Sequence, residues 1–290
     1  MSKPHVYATL FDKNYLAKGI CLIRSMGRHY GDNPWILYVL ALDKRTEYFL
    51  KDLNAKIGGM LVVKTLEEVT TPELLVAQSN RDHKEFCWTL GSYFTHWVFK
   101  DAGVQETIYL DSDLYFFDDP QIVLKELGSK AVGIIPHRLI PEKKHLEVNG
   151  IYNVGWVGFR GDRGLKILEK WRNQCLEWCY NRVEPNRFAD QKYLDEWPSY
   201  GCCTCVIKNI GVGLAPWNLA QYQLEERGGK LFADGFPVVF YHYHEFFEKP
   251  NGEFQLTNYH LRPGDVEKIY VPYMNDYVSA KKMIRDFLEG

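Results

Sequence analysis

The regular alternation of apolar, strand-like segments with amphipathic, helix-like segments most limits the folds open to this chain. Strands are predicted at residues 5–11, 35–42, 60–63 and 107–110, and helices at residues 15–29, 46–57 and 85–100. Such alternation predicts an α/β fold, a Rossmann-like and mainly parallel sheet flanked by helices on both faces. Ligands of these sheets bind beyond the carboxyl ends of the strands, so we expect the chemistry there.

The second half of the chain keeps the same character with a less regular rhythm. Strands are predicted at residues 132–136, 152–160 and 237–243, with a helix at 164–180. No internal repeat, low-complexity tract or long linker divides the chain. We therefore expect a single domain over residues 1–290, a length that α/β folds commonly reach in one unit.

Composition excludes several classes of protein. Hydrophobic residues make up 46% and charged residues 25% of the 290 residues, which is typical of globular chains and not of disordered ones. The formal net charge of −2 gives no basic excess for nucleic acid. The longest apolar run, residues 35–42, is far shorter than a membrane span, and no signal-peptide pattern follows Met1. A cytoplasmic location is expected.

The seven cysteines are an odd number without a secretory signal, which favours reduced, mostly buried thiols. Cys202 and Cys205 have a ligand-like spacing, and Cys175 and Cys179 lie four apart in a predicted helix. A zinc site or a disulfide among these residues stays open as an alternative.

The sharpest feature is the segment IYLDSDLYFF, in which an apolar strand runs directly into Asp111-Ser112-Asp113. In an extended chain the side chains of Asp111 and Asp113 point to the same side and can approach one cation. Hard divalent ions take oxygen ligands and bridge carboxylates to phosphate oxygens. A solvated turn is the alternative interpretation of this motif alone.

Six segments follow one another in an order that resembles glycosyltransferase family 8, which includes glycogenin and bacterial lipopolysaccharide glycosyltransferases. They are ATLFDKNYLAKGICLIRSM, KEFCWTL, IYLDSDLYFF, YNVGWVGF, ADQKYL and FYHYHEF, spread over roughly residues 5–250. The resemblance implies the GT-A fold. It also implies that residues 1–130 form the nucleotide-sugar half, residues 131–260 the acceptor half, and residues 261–290 a tail packed on the domain.

The resemblance implies a metal site as well. The Asp-x-Asp of the family binds manganese together with the sugar-nucleotide diphosphate, and here it falls on Asp111 and Asp113, with Ser112 between them. A late histidine completes the site, and His242 matches it better than His244. Family members often have glycine where this chain has Glu245. The expected cofactor is Mn²⁺, with Mg²⁺ as the other candidate.

The donor site is expected at the end of the first strand and beside the metal. By resemblance, Thr9, Leu10 and Phe11 hold the nucleotide base, and Tyr15 stacks on it. From the residues alone, Tyr15 is equally a residue that starts a helix. Lys84, or its neighbour Arg81, faces the donor sugar and phosphates, where a cation stabilises the departing diphosphate. The remaining implied donor-site residues are Asn153, Gly155, Asp190, Gln191 and Lys249.

Asp190 and Gln191 match an Asp-Gln pair that opens a helix where donor sugar and acceptor meet. From the residues alone, Asp190 is an ordinary helix cap. By resemblance, Asp190, Gln191 and Lys84 are the catalytic candidates, and the first two orient the sugar.

The resemblance implies a metal-dependent hexosyltransferase of class EC 2.4, active in polysaccharide biosynthesis. It would transfer a sugar, with UDP-hexose as the family default, to a hydroxyl of a glycan, lipid-linked or protein acceptor, with retention of configuration. A catalytically inactive relative that binds nucleotide sugars and a sugar nucleotidyltransferase are the alternatives. The chain lacks the clustered glycines that the latter needs after its first strand.

The tail, residues 265–290, mixes apolar residues with lysine and aspartate. Because it has few clustered basic residues, packing on the domain is favoured over peripheral contact with a membrane that carries the acceptor.

Overall fold

The computed structural model describes residues 3–31 and 33–289. The strands are β1 His5–Phe11, β2 Trp35–Ala41, β3 Leu61–Thr65, β4 Glu106–Leu110, β5 Leu114–Phe116, β6 Val132–Pro136, β7 Tyr152–Arg160, β8 Thr204–Val206, β9 Leu224–Arg227, β10 Lys230–Ala233, β11 Phe236–Pro237, β12 Phe240–His242, β13 Phe247–Glu248 and β14 Phe254–Gln255. The α-helices are α1 Leu16–His29, α2 Lys44–Lys56, α3 Leu66–Val69, α4 Pro72–Ser79, α5 His83–Asp101, α6 Gln121–Leu127, α7 Gly161–Glu177, α8 Pro263–Asp265 and α9 Val271–Glu289. Short 3₁₀ segments lie at Pro141–Asn149, Lys192–Cys203 and Leu219–Gln221, and a π-helical turn at Val266–Tyr270 joins α8 to α9.

A seven-stranded sheet in the order β3-β2-β1-β4-β7-β6-β8 forms the centre of the fold. The pairs β2–β3, β1–β2, β1–β4 and β6–β8 are parallel, while β7 runs antiparallel to both β4 and β6. Two hydrophobic clusters occupy the sheet's two sides, one including α1, α2 and α9, the other including α5 and α7. The predicted α/β architecture with a mainly parallel sheet is confirmed.

Helix α5 shows why several helices begin before their apolar periodicity does. The Asp82 side chain accepts a hydrogen bond from the backbone N–H of Glu85 at 2.8 Å. The Glu85 side chain in turn accepts one from the N–H of Asp82 at 3.1 Å. This capping box satisfies two free N–H groups, so the helix begins at His83 rather than at residue 85 as expected. In α2, Asp43 caps the helix in the same sense, accepting from the N–H of Thr46 at 3.0 Å.

The prediction of one continuous strand at residues 237–243 was wrong, because this stretch belongs to two separate strands. The chain forms β11, which pairs with β10, and then β12, which pairs with β5. Pro237 ends β11, and because proline has no N–H group it cannot continue a ladder. The predicted helix 164–180 is instead α7, which begins earlier at Gly161, where φ is +63°, and ends at Glu177.

The C-terminal helix α9 packs on the face of the sheet that carries α1. The ring of Tyr273 stacks on that of Tyr243 with centroids 3.6 Å apart. Arg28 donates to the hydroxyl of Tyr115 at 2.7 Å, and that hydroxyl donates to Asp276 at 2.8 Å. These contacts bury one face of α9 against the domain. Gly290, the last residue of the predicted tail, lies outside the described residues, as does Met1 at the start of the predicted domain.

All seven cysteines are free thiols, and Cys175 and Cys179 are buried while Cys202 is exposed. Within residues 3–31 and 33–289, no group of three or more potential metal ligands includes a cysteine. Over the same residues, no helix has both the length and the apolar character needed to cross a membrane.

Candidate active site

Three side chains that are far apart in sequence meet at the end of β4. Strand β4 delivers Asp111, whose N–H donates to the carbonyl of Gly155 on β7 at 2.9 Å. The chain then turns into β5, and the antiparallel β5–β12 ladder pairs His242 with Leu114. The N–H of Tyr243 also donates to the carbonyl of Asp113 at 2.9 Å. The carboxylates and the imidazole are therefore fixed by backbone hydrogen bonds.

The side chains of this trio lie close enough together to hold one metal ion. One ligand atom from each of Asp111, Asp113 and His242 lies within 4.8 Å of the other two. His242 Nε2 is 3.1 Å from Asp113 Oδ1 and 3.7 Å from Asp111 Oδ2. The hydroxyl of Tyr109 donates to the other oxygen, Asp111 Oδ1, at 2.9 Å, which fixes that carboxylate. The resemblance implied His242 rather than His244, and it is His242 that the fold brings to the carboxylates.

Burial and close charges shift the pKa values within the trio. Burial raises the pKa of Asp111, and the neighbouring Asp113 carboxylate adds to that increase. Burial would raise the pKa of Asp113 too, but His242 and Lys18 outweigh it and hold this pKa below its ordinary value. Burial lowers the pKa of His242, yet Asp113 and then Asp111 raise it above its usual value. The raised pKa of His242 and the lowered pKa of Asp113 reflect the attraction between the two groups. The raised pKa of Asp111 reflects burial and the neighbouring negative charge, which a cation would relieve.

The residues present fit a divalent ion of the Mn²⁺ or Mg²⁺ type. Carboxylate oxygens suit these hard ions, and an imidazole nitrogen can complete the set. His242 Nδ1 is buried, has no hydrogen-bond partner in the part of the chain that the structure describes, and faces Gly155, so Nε2 points toward the carboxylates. A Cβ added at Gly155 would lie 2.9 Å from that Nδ1. The backbone at residue 155 therefore leaves just enough space for the ring.

The metal trio opens into a cleft of about 720 Å³, a size typical of small-molecule sites. The sequence-predicted residues that line it are Leu10, Phe11, Tyr15, Lys84, Asp111, Ser112, Asp113, Asn153, Asp190, Gln191 and His242. Three other predicted residues lie elsewhere. Thr9 is fully buried inside β1, Gly155 lies behind His242, and Lys249 is in the turn of the β13–β14 hairpin.

Two Bacillus subtilis strain 168 proteins are similar to this chain over most of its length. The uncharacterized protein YfnF is 30% identical over 250 residues, which cover 82% of this chain and 80% of YfnF. The chain belongs to the family of YfnF. The uncharacterized protein YfnD is 29% identical over 275 residues, 92% of this chain and 87% of YfnD. No protein-family model matches this member of the YfnF family.

Solved glycosyltransferases share the fold. Mouse xyloside xylosyltransferase 1 superposes with a TM-score of 0.55 at 12% identity, over 87% of this chain and 99% of the mouse protein. The galactosyltransferase LgtC, solved with donor and acceptor sugar analogues, gives a TM-score of 0.52 at 18% identity, over 82% of this chain and 87% of LgtC. At these identities the likeness establishes the fold. The GT-A fold implied by the resemblance to glycosyltransferase family 8 is confirmed.

Asp190 lies in the cleft on a strained piece of backbone. Ala189 has φ of +48°, in the left-handed region that a residue with a side chain rarely adopts. Burial raises the pKa of Asp190 well above its ordinary value, and Asp111 adds to the increase. Asp190 is not a helix cap, because the residue that precedes the 3₁₀ segment Lys192–Cys203 is Gln191, which makes no capping bond. The Gln191 side chain instead donates to the carbonyl of Asn149 at 2.9 Å, which fixes it in the cleft wall.

The two basic candidates, Lys84 at the start of α5 and Arg81 just before it, have different surroundings in the structure. Lys84 lines the cleft with its ammonium 4.8 Å from the centre of the Trp88 ring. Arg81 donates to the hydroxyl of Thr89 and to the carbonyl of Leu176, the latter at 2.7 Å. Arg81 thus joins α5 to α7 and does not line the cleft, so Lys84 is the residue placed to meet a ligand.

Sequence reasoning missed Lys18, which is only 5% exposed in the first turn of α1. Its ammonium lies 3.7 Å from Asp113 Oδ2 and 4.2 Å from the centre of the Tyr15 ring. A cation is unfavourable at the N-terminus of a helix and costly when buried, so this position signals an electrostatic role. The signal in the sequence was a lysine within the otherwise apolar first half of α1, residues 16–23.

Sequence reasoning also missed the aromatic residues of the cleft, because an aromatic content of 15% is equally typical of a large core and does not show which rings line a site. Trp88 and Phe188 lie with ring centroids 6.3 Å apart, and both line the cleft. Trp217 packs edge-on against His242, with centroids 5.3 Å apart, and against His244 at 5.4 Å. His244 therefore borders the cleft beside the metal trio without joining it.

Proposed function

We propose that this chain is a metal-dependent glycosyltransferase that moves a hexose from UDP to an acceptor hydroxyl, with retention of configuration. The observation that carries the proposal is the Asp111–Asp113–His242 trio at the end of β4, on the floor of the large cleft of a GT-A fold. The resemblance to family 8 supports the choice of donor and the stereochemistry.

The donor base would lie at the end of β1. Leu10, Phe11 and Tyr15 line this part of the cleft, and 45% of Tyr15 is exposed, which leaves a ring face free for a base. The free backbone groups at a strand end can bond the polar edge of the base. Thr9, which is fully buried, would support Leu10 and Phe11 rather than contact the donor.

The diphosphate would lie over the trio. Asp111, Asp113 and His242 would hold Mn²⁺ or Mg²⁺, which when bound supplies Lewis-acid stabilisation of the leaving diphosphate. Lys84 would add a second positive charge from the cleft wall, and Lys18 would act behind Asp113. Lys249 is proposed as a further diphosphate contact, which requires its hairpin to approach the cleft.

The sugar would lie between the trio and Asp190. The Asp190 carboxylate would steady positive charge at the anomeric carbon, while Gln191 and Asn153 orient the sugar hydroxyls. The bond from the anomeric carbon to the phosphate oxygen breaks and a bond to the acceptor oxygen forms on the same face. The acceptor proton passes to the leaving phosphate oxygen, so no separate base is required.

The first test is thermal unfolding with UDP, GDP, CDP and ADP, each with and without Mn²⁺. A ligand at 100 times its Kd stabilises by about 2.7 kcal/mol, which raises Tm by roughly 5–10 °C at about 2–4 °C per kcal/mol. We expect this shift with UDP, only when Mn²⁺ is present, and none in Asp113→Asn. The control is Asp52→Asn, on α2 outside the cleft, which keeps the full shift.

Turnover separates the enzyme from an inactive relative. UDP release from UDP-glucose, UDP-galactose and UDP-N-acetylglucosamine is measured with and without acceptor, in the parent and in Asp113→Asn. Metal-dependent release that Asp113→Asn abolishes supports the proposal. A UDP-dependent Tm shift without any release would favour the inactive relative, and no shift with any nucleotide would refute the donor site.

A further inference from the structure

Glu245 has a backbone conformation that favours glycine. Its φ is +63°, and a residue with a side chain pays a steric cost there that glycine does not. The residue lies three positions after His242, at the edge of the metal trio, and its side chain lines the cleft. Non-glycine residues in this region cluster at functional sites, where the side chain compensates for the strain.

The Glu245 carboxylate connects two parts of the cleft. Its Oε2 accepts a hydrogen bond from the N–H of Asn258 at 3.2 Å, and its Oε1 lies 3.9 Å from Nε2 of His244. Asn258 precedes Tyr259, whose ring lines the cleft. We call residues 256–260 the Tyr259 wall. The hydrogen bond that Asn258 donates to Glu245 fixes this wall relative to β12, the strand that carries His242.

The Tyr259 wall faces a second segment that also lines the cleft. Lys143, in the 3₁₀ segment Pro141–Asn149, has its ammonium 5.6 Å from the centre of the Tyr259 ring. Leu146 of that segment lines the cleft, as does Leu139 just before it. These residues have no part in the proposed donor site, so this side of the cleft is available to the second substrate.

We propose that Glu245 is a positioning residue that holds the Tyr259 wall in place, and that this wall receives a sugar acceptor. An aromatic ring and leucine side chains suit the apolar face of a hexose, and a carboxylate beside an imidazole suits its hydroxyls. This inference rests on the proposed function. Its distinct claim is that the side chain at residue 245 is kept for the wall and the acceptor, not for stability or for donor binding.

The test compares Glu245→Gly with Glu245→Gln, which retains a side-chain oxygen that can accept from Asn258. Glycine should give a Tm equal to or above that of the parent, because the backbone strain is removed. It should speed amide hydrogen exchange within residues 256–260 about tenfold, whereas glutamine leaves exchange near the parent rate. Asp234→Gly, at φ +45° in the β10–β11 turn outside the cleft, is the matched control and should leave exchange in the wall unchanged.

Kinetics then place the acceptor. With the methyl β-glycosides of glucose, galactose and N-acetylglucosamine as acceptor probes, Glu245→Gly and Tyr259→Ala should raise the acceptor KM about tenfold. Acceptor-independent hydrolysis of the UDP-sugar and the Mn²⁺–UDP shift in Tm should stay at parent values. A parent enzyme that transfers to none of these sugars, or parent-like exchange and KM in Glu245→Gly, overturns the inference. Loss of the Mn²⁺–UDP shift in the parent itself would instead refute the proposed function.

Discussion

Gly155→Ala adds one methyl group behind the metal trio, and the structure specifies what that group meets. The new Cβ would lie 2.7 Å from Asn153 Oδ1 and 2.9 Å from His242 Nδ1, both too close for a carbon atom. Asn153 Oδ1 accepts from the N–H of Gly155 at 2.8 Å, so its retreat would break that bond. The His242 ring would otherwise have to move by roughly half an ångström.

The direction of that movement determines its effect on metal binding. His242 Nδ1 faces Gly155, and Nε2 is only 3.1 Å from Asp113 Oδ1 on the other side. A ring pushed from behind therefore closes the space in which a cation would lie. Displaced supporting contacts around a metal site typically cost 10–100-fold in metal affinity. Overpacking of this kind also destabilises by about 1–3 kcal/mol.

The assay measures Mn²⁺ affinity by the free-ion electron paramagnetic resonance signal, together with Tm. We expect Gly155→Ala to bind Mn²⁺ about 10–100-fold more weakly and to melt several degrees lower, at about 2–4 °C per kcal/mol. The control is Gly27→Ala on α1, where an added Cβ meets no atom of the described residues within 4 Å. It should raise Tm slightly, since alanine favours a helix by about 1 kcal/mol over glycine, and leave Mn²⁺ affinity unchanged. Parent-like Mn²⁺ affinity in Gly155→Ala would refute the assignment of His242 as a ligand.

Two further predictions concern stability. Burial raises the pKa of Glu106, but hydrogen bonds from His5 and Arg160 outweigh it and hold this pKa below the ordinary value of 4.5. The stability that the ionised Glu106 adds to the folded state is complete above pH 4.5 and is lost as the pH falls through the lowered pKa. The Tm difference between the parent and Glu106→Gln should therefore shrink in acid. A constant Tm difference from pH 7 to pH 3 would contradict this. Tyr243→Phe should cost about 0.5–1.5 kcal/mol in urea unfolding, because its hydroxyl donates to a backbone carbonyl at 2.6 Å. Tyr273→Phe should be neutral or stabilising, because that buried hydroxyl has no hydrogen-bond partner within residues 3–31 and 33–289. Equal losses of stability in the two variants would show the hydrogen bond of Tyr243 to be irrelevant.

The sequence by itself determined the elements whose signals are local. Apolar runs gave β1, β2, β4, β6 and β7, and alternation with helices gave the mainly parallel sheet. Strand β4 followed by two aspartates located one side of the candidate metal site, because a strand end and residue spacing are both properties of adjacent residues. The resemblance supplied His242, which no local pattern distinguishes from the other histidines.

The tertiary structure decided what depends on long-range pairing. Strand β12 is separate from β11 rather than continuous with it as expected, and it pairs with β5. Only that pairing brings His242 to Asp113. Lys18 is seven residues past Phe11, and nothing in its spacing shows that its ammonium would be buried against a carboxylate 95 positions later. The separation of Lys84 from Arg81 likewise arises from α7, whose Leu176 carbonyl binds the arginine.

The backbone at residue 245 shows the same division. From sequence, Glu245 is a charged residue where the resemblance expects glycine; in the fold it has the φ of +63° that glycine would adopt. The conformation is imposed by the chain around it, through the turn after β12 and the hydrogen bond to Asn258. Local sequence indicates which backbone conformation is low in energy for a residue, but only the packed structure shows where the chain adopts a strained one.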